Sequence, residues 1–164
     1  MTGKAIAPSF VVGIDLGTTN SVLAFADLRE GASREIQSLQ VPQWTSSKQF
    51  KELGLLPSFL FVPPDGVEQK SCLPWEKAPA PFVVGSYARE QAGLLPSRVV
   101  QSAKSWLSHP RIDREAPILP WGFDGGADKI SPVQASSVIL EHLKPVLFLS
   151  TYKTLLMKDI QKRK

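Results

Sequence analysis

The sequence predicts an α/β fold, with short strands filling the first half and a capped helix in the second. Three observations carry this. A β-branched run (Phe10, Val11, Val12, Ile14) passes through a glycine-centred turn into a second apolar run (Val22, Leu23, Phe25), which reads as strand, turn, strand over residues 9–27. Residues 56–62 (LPSFLFV) are a short buried-strand pattern ended by Pro63-Pro64-Asp65-Gly66, a turn composition. Ser131-Pro132-Val133-Gln134 supplies a helix cap, a proline at the first helical position and a glutamine able to answer the cap's backbone donor.

The remaining elements follow in order. Glu30-Gly31 closes a turn, and residues 34–41 alternate enough for a third, edge-like strand. Residues 42–56 show no reliable period. Pro74, Pro79 and Pro81 punctuate residues 67–81, so an irregular surface loop is expected there, held down by Trp75. Phe82-Val83-Val84-Gly85 ends a strand, and a helix is expected over residues 86–95 with Tyr87, Gln91, Leu94 and Leu95 on one face. Residues 98–107 continue as helix or turn, and 109–120 form a proline-rich connection. The helix from Ser131 carries the apolar stripe Ile139, Leu143, Val146 and Leu147, interrupted by Pro145. Proline removes a helix hydrogen bond and clashes with the preceding turn at ~3 kcal/mol, so this helix is expected to end or kink near Lys144.

With 164 residues and 43% hydrophobic content, the chain suits one globular core or one lobe of a larger domain. The single Cys72 forms no internal disulfide, and residues 1–9 are polar and interrupted by Pro8, unlike a secretory segment. A reducing cytoplasm is the expected setting. No apolar run approaches the ~20 residues of a membrane span, so no membrane partner is expected. The formal net charge of +4 resides at the end of the chain, in Lys153, Lys158, Lys162, Arg163 and Lys164 against Asp159. The body is therefore neutral and offers no electrostatic footprint for nucleic acid.

Chemistry concentrates in Gly13-Ile14-Asp15-Leu16-Gly17-Thr18-Thr19-Asn20-Ser21. An acidic residue leaves a hydrophobic strand and is followed at once by glycine and small polar residues. Gly17 lets backbone approach an anion, and the N–H groups and hydroxyls of Thr18 and Thr19 can donate to phosphate oxygens. Asp15 tolerates phosphate only with a cation, which implies Mg²⁺ held directly or through its waters. The bland alternative is a β-hairpin with a solvated aspartate. The segment is neither a Walker loop nor a dinucleotide fingerprint, since no helix and no Gly-Lys-Ser/Thr follows. His109 and His142 have no metal-ligand spacing and read as surface or packing residues. Asp124-Gly125-Gly126-Ala127-Asp128 reads as a polar turn, and Trp44, Trp75, Trp106 and Trp121 as core rather than a stacking platform.

GIDLGTTNS resembles the first phosphate-binding motif of the actin, sugar-kinase and heat-shock-chaperone superfamily, in wording closest to the DnaK-type, seventy-kilodalton heat-shock chaperones. Three later segments keep that family's order: residues 56–62, residues 83–107 (VVGSYAREQAGLLPSRVVQSAKSWL) and residues 131–144 (SPVQASSVILEHLK). The resemblance covers most of residues 9–144. It implies the first lobe of an actin-like, ribonuclease-H-like ATPase fold: a mixed sheet over residues 9–41, flanking helices and a small inserted subdomain around residues 43–121. On this reading residues 1–144 are part of a nucleotide-binding domain and residues 145–164 a divergent basic tail.

The same resemblance implies ATP and Mg²⁺ as cofactors, with Gly17, Thr18, Thr19 and Asn20 at the phosphates, Asp15 at the Mg²⁺ and Lys104 as catalytic lysine. The parent would hydrolyse ATP to drive protein folding, with unfolded client proteins and co-chaperones as partners. The change of character at Pro145 and the missing second phosphate loop suggest a truncated or frame-shifted product; an engineered end or a natural short form would look the same. The rival functions are a sugar- or acetate-kinase-like phosphotransferase of that superfamily and an inactive remnant or interaction module.

Overall fold

In the computed structural model the described residues are 9–64, 73, 75–76, 80–124 and 129–161, with side chains described as far as residue 150. Most of the expected 67–81 loop, Cys72, half of the 63–66 turn and most of the 124–128 turn therefore lie outside them.

The opening strand-turn-strand forms as expected. Strand β1 (Phe10–Leu16) pairs antiparallel with β2 (Asn20–Asp27) in a register running from Phe10 opposite Asp27 to Leu16 opposite Ser21. Alternation along β2 sends Leu23 and Phe25 into the core. The third strand is shorter than expected: β3 (Gln37–Ser38) meets only Ala24 and Phe25. Strands β4 (Val41–Trp44) and β5 (Phe50–Leu53) make a hairpin in the segment without a period. All four residues of β4 are buried, Gln43 included, so no apolar-polar alternation existed to be read. The 56–62 pattern divides at Ser58 into β6 (Leu56–Pro57), which joins β2, and β7 (Phe59–Phe61).

Strand β7 lies between β8 (Val83–Val84) and β9 (Val99–Gln101). Residues 99–101 thus pair as a strand where helix or turn was expected, because Val99 and Val100 are β-branched and buried. Every ladder among the described strands is antiparallel. The expected mixed sheet is replaced by three antiparallel sheets.

Helix α1 (Ser86–Gln91) starts at Gly85 as expected but stops before Gly93 and Pro96, so Leu94 is 73% exposed and leaves the predicted face, which Ala88 and Gln91 fill. After α2 (Ala103–Leu107) comes α3 (Pro132–Gln161). Its capping box closes reciprocally, Ser131 N–H to Gln134 Oε1 at 2.9 Å and Gln134 N–H to Ser131 Oγ at 3.1 Å. The helix does not end near Lys144 but runs on through Pro145. Ile139, Leu143 and Val146 continue one buried stripe across the proline, and a buried Val or Leu contributes about 1.5–3 kcal/mol, enough to offset the ~3 kcal/mol defect.

One buried polar node joins these parts. Gln43 is fully buried; its Nε2 donates to the Leu55 carbonyl at 2.9 Å, and its Oε1 accepts from the Ser86 N–H at 3.0 Å and the Ser86 hydroxyl at 2.8 Å. Gly85 allows this approach: its φ is +96°, and a Cβ there would lie 2.6 Å from Gln43 Oε1 and 2.8 Å from Leu56 Cδ1. Gln43→Leu should lower stability in urea by about 2–4 kcal/mol, because it strands a buried donor and acceptor together. A loss below about 0.5 kcal/mol, the ordinary surface range, would refute the role assigned to this node.

His142 is a second buried polar group. A carbonyl can only accept, so Nε2–H donates to the Pro42 oxygen at 2.9 Å. Burial lowers the imidazole pKa from 6.5 to about 4, opposed by that hydrogen bond. The unfolded chain binds more protons between those pH values, so stability is complete above pH 6.5 and falls as pH drops toward 4, by about 3 kcal/mol. His142→Gln, which keeps a donor but does not titrate, should flatten this part of the stability profile in denaturant melts at stepped pH. An unchanged slope would assign the acid sensitivity to other groups.

Candidate nucleotide site

The candidate phosphate and Mg²⁺ residues lie at one hairpin end, and Lys104 lies apart from them on α2. Asp15 sits opposite Val22 near the end of β1 and is exposed, as are Thr18 and Thr19 in the connection 17–19. Gly17 is required by close approach: a Cβ there would overlap the backbone carbonyl of Asn20. Asn20 is half-buried and paired with Pro57 of β6. The connection is tied down from behind, where Ser58 N–H donates to the Thr19 carbonyl at 2.9 Å and the Ser58 and Ser21 hydroxyls meet at 2.9 Å in a buried pair. With the Thr19 carbonyl turned to β6–β7, the turn keeps its small polar side chains toward solvent.

Lys104 stands on a separate element, connected to Ser58 through the β7–β9 ladder. Phe59 follows Ser58 directly and pairs with Gln101 at the end of β9; Ser102 then takes a left-handed conformation (φ 56°) that turns the chain into α2, where Lys104 is exposed. No hydrogen bond or ion pair joins Lys104 to Asp15 or to the 17–20 segment among the described residues. The other side of Phe59 meets Gly85, whose N–H donates to the Phe59 carbonyl at 3.1 Å, and α1 carries exposed Arg89 one turn later. The sequence reading passed over Arg89 and Ser58. The signal for Ser58 was a small polar residue inside an otherwise apolar strand; for Arg89 it was a cation one turn beyond the glycine that opens a helix.

This arrangement suits an anion that brings its own cation. The exposed Thr18 and Thr19 offer donors, and Asp15, in no ion pair among the described residues, offers an uncompensated carboxylate. No group of three or more His, Cys, Asp and Glu side chains assembles among the described residues. A divalent ion here would rest on Asp15, water and ligand oxygens, the pattern Mg²⁺ accepts. A shallow groove of about 290 Å³ along Gly13, Ile14, Asp15, Val22 and Ala24 leads to this end of the hairpin.

Three curated relatives resemble the chain, each a chaperone protein HscA homolog. That of Tolumonas auensis is 29% identical over 156 residues, covering 87% of this chain and 21% of the relative. That of Haemophilus influenzae is 33% identical over 159 residues, with coverage of 88% and 21%. That of Actinobacillus pleuropneumoniae serotype 5b is 33% identical over 156 residues, with coverage of 86% and 21%. The similarity supports the seventy-kilodalton heat-shock chaperone family. No family model matches the chain. The chain spans about a fifth of the length of the curated relatives it matches. The mixture of helices and antiparallel sheets agrees with part of a nucleotide-binding domain of that family. No described helix is long and apolar enough to cross a membrane.

Gly17→Ala should force the Asn20 carbonyl aside and loosen the hairpin end, a loss of about 1–3 kcal/mol typical of an incompatible backbone site. Amide chemical shifts should move at residues 15–21 and 57–58 and stay put around Gln43. An alanine variant with wild-type shifts in this segment would refute the close approach at Gly17.

Proposed function

We propose that this chain forms the first lobe of the actin-like nucleotide-binding domain of a DnaK-type, ATP-dependent chaperone, and that residues 15–20 are its phosphate and Mg²⁺ site. The observation that carries the reading is the tied-down glycine turn, with Asp15 beside it and exposed donors at Thr18 and Thr19. Chaperone relatives over nearly the whole chain support the same reading. Thr18 and Thr19 donate to phosphate oxygens, Asn20 and Gly17 shape the turn, and Asp15 holds Mg²⁺ directly or through water. The bound ion supplies charge neutralisation at the phosphates. Lys104 supplies a fixed positive charge where negative charge grows during phosphoryl transfer, the main protein contribution to such reactions. Unfolded client proteins and co-chaperones are the partners of the whole protein, and the cytoplasm its setting.

A nucleotide titration tests the binding half. ATP with Mg²⁺ should shift the amides of residues 15–20, Thr18→Val should weaken that binding, and Asp15→Asn should remove the dependence on Mg²⁺. Binding indifferent to both substitutions would move the site elsewhere.

The catalytic half is tested in a chimaera in which residues 1–144 replace the matching segment of the Haemophilus influenzae relative. Lys104→Ala should slow single-turnover hydrolysis by about 10²–10³-fold, as removal of one preorganised electrostatic group does, with nucleotide affinity nearly unchanged. Arg89→Ala is the control from the other side of Phe59. A parent rate in Lys104→Ala with a large loss in Arg89→Ala would reassign the catalytic cation to α1.

A further inference from the structure

A cavity of about 320 Å³ lies away from the hairpin, between Trp75, β8 and α3. Its apolar wall comes from Trp75, Phe82, Val84 and Val138, and its polar groups are Glu76, Glu141 and His142. The volume falls at the lower end of small-molecule sites, which run roughly 300–1,000 Å³ and combine apolar walls with a few polar groups.

The titratable side chains share one character, since all three are acceptors. His142 spends its only proton on the Pro42 carbonyl, because Nε2 must be the donor there. At neutral pH the ring is uncharged, so Nδ1 presents a lone pair. No donor meets Nδ1 among the described residues, although the side chain is 8% exposed. Such a buried unpaired group calls for a partner. Glu76 is steadied by the Leu73 N–H, which donates to Oε2 at 2.7 Å. Glu141 is exposed at the rim and in no ion pair among the described residues, Lys144 on the same helix included. The Trp75 and His142 rings meet in a T-shaped pair, centroids 5.4 Å apart and planes at 83°, and aromatic faces attract cations.

We propose that this cavity binds a small hydrophobic primary amine in its ammonium form, the apolar part against Trp75, Phe82 and Val138 and the ammonium among Glu76, Glu141 and His142. An ammonium has three N–H donors and no acceptor, the complement of two carboxylates and an imidazole lone pair. A carboxylate ligand would meet two like charges. A neutral ligand could donate a hydrogen bond but would leave both carboxylate charges uncompensated.

The test is a titration of 2-phenylethylammonium chloride into the full chain at pH 7, followed through the His142 ring protons and the Trp75 indole N–H by NMR. 2-Phenylethanol serves as the neutral isostere and 3-phenylpropionate as the anionic one. The expected result is saturable shifts of both resonances with the amine, binding at least about tenfold weaker for the alcohol, and none for the acid. Glu141→Gln, a change on an exposed position that leaves the core untouched, should weaken the amine at least about threefold and leave the alcohol unchanged. Equal affinity for amine and alcohol, indifference to Glu141→Gln, or no saturable shift at His142 would each overturn the proposal.

Discussion

Gln43 holds the fold at the point where its sheets meet. Its amide reaches the Leu55 carbonyl just before β6 on one side and Ser86 at the start of α1 on the other. The helix has no side-chain cap of its own at Gly85, so Gln43 caps it from another strand. A buried amide with these groups answered is favourable only in one arrangement, because each missed hydrogen bond costs about 1–3 kcal/mol. The node therefore fixes how the β4–β5 hairpin, the entry to β6 and the β8-to-α1 corner stand relative to each other. Gly85 is the steric counterpart: its positive φ and lack of Cβ open the space that the amide occupies.

That fixed corner reaches the phosphate-loop candidate through a short path. Leu56 packs beneath Gly85, Pro57 and Leu56 pair with Asn20 and Ser21, and Ser58 grips Thr19. The 17–20 segment is thus anchored to the main core through β6 and Ser58, as well as bracketed by the Leu16–Ser21 pair of the β1–β2 ladder. Phe59 then distributes the two candidate cations, Arg89 through Gly85 and Lys104 through Gln101. The loop and both cation-bearing helices share a single strand as their frame, so a shift of β7 would displace all three together.

How much of this was legible in the sequence follows from where side-chain pattern and burial agree. The first hairpin, the Gly85-to-α1 corner and the Ser131 capping box were readable, because each depends on residues close in sequence: a β-branched run, a glycine between a strand pattern and helix formers, a Ser-x-x-Gln cap. The β4–β5 hairpin was not, since a strand buried at all four positions with proline and glutamine inside it carries no period-2 signal. The continuation of α3 past Pro145 and the β-state of residues 99–101 were equally hidden. Both are set by long-range packing, of Val146 into the main core and of Val99 and Val100 against β7, which overrides local preference. For the site, the motif located the loop but not its support: Ser58 lies 37 residues from Ser21, the partner of its hydroxyl.

The contrast between β1 and β2 bears on what Asp15 can do. Strand β2 is buried at five of its eight positions, whereas β1 is exposed at five of seven and has one ladder partner among the described strands. Val11 is 51% and Ile14 48% exposed. A carboxylate on such a strand keeps its hydration, so its charge costs little and exerts little pull, for exposed pairs contribute at most about 1 kcal/mol. Asp15 on this surface is thus a solvated acceptor suited to the hydrated shell of a hard cation, with selectivity left to the donors of the turn. Tight capture would require this face to be covered, because electrostatic attraction strengthens only as water is excluded. The geometry of the turn is set from behind by Ser58 and Gly17, but the strength of any ion held at Asp15 depends on what lies over β1.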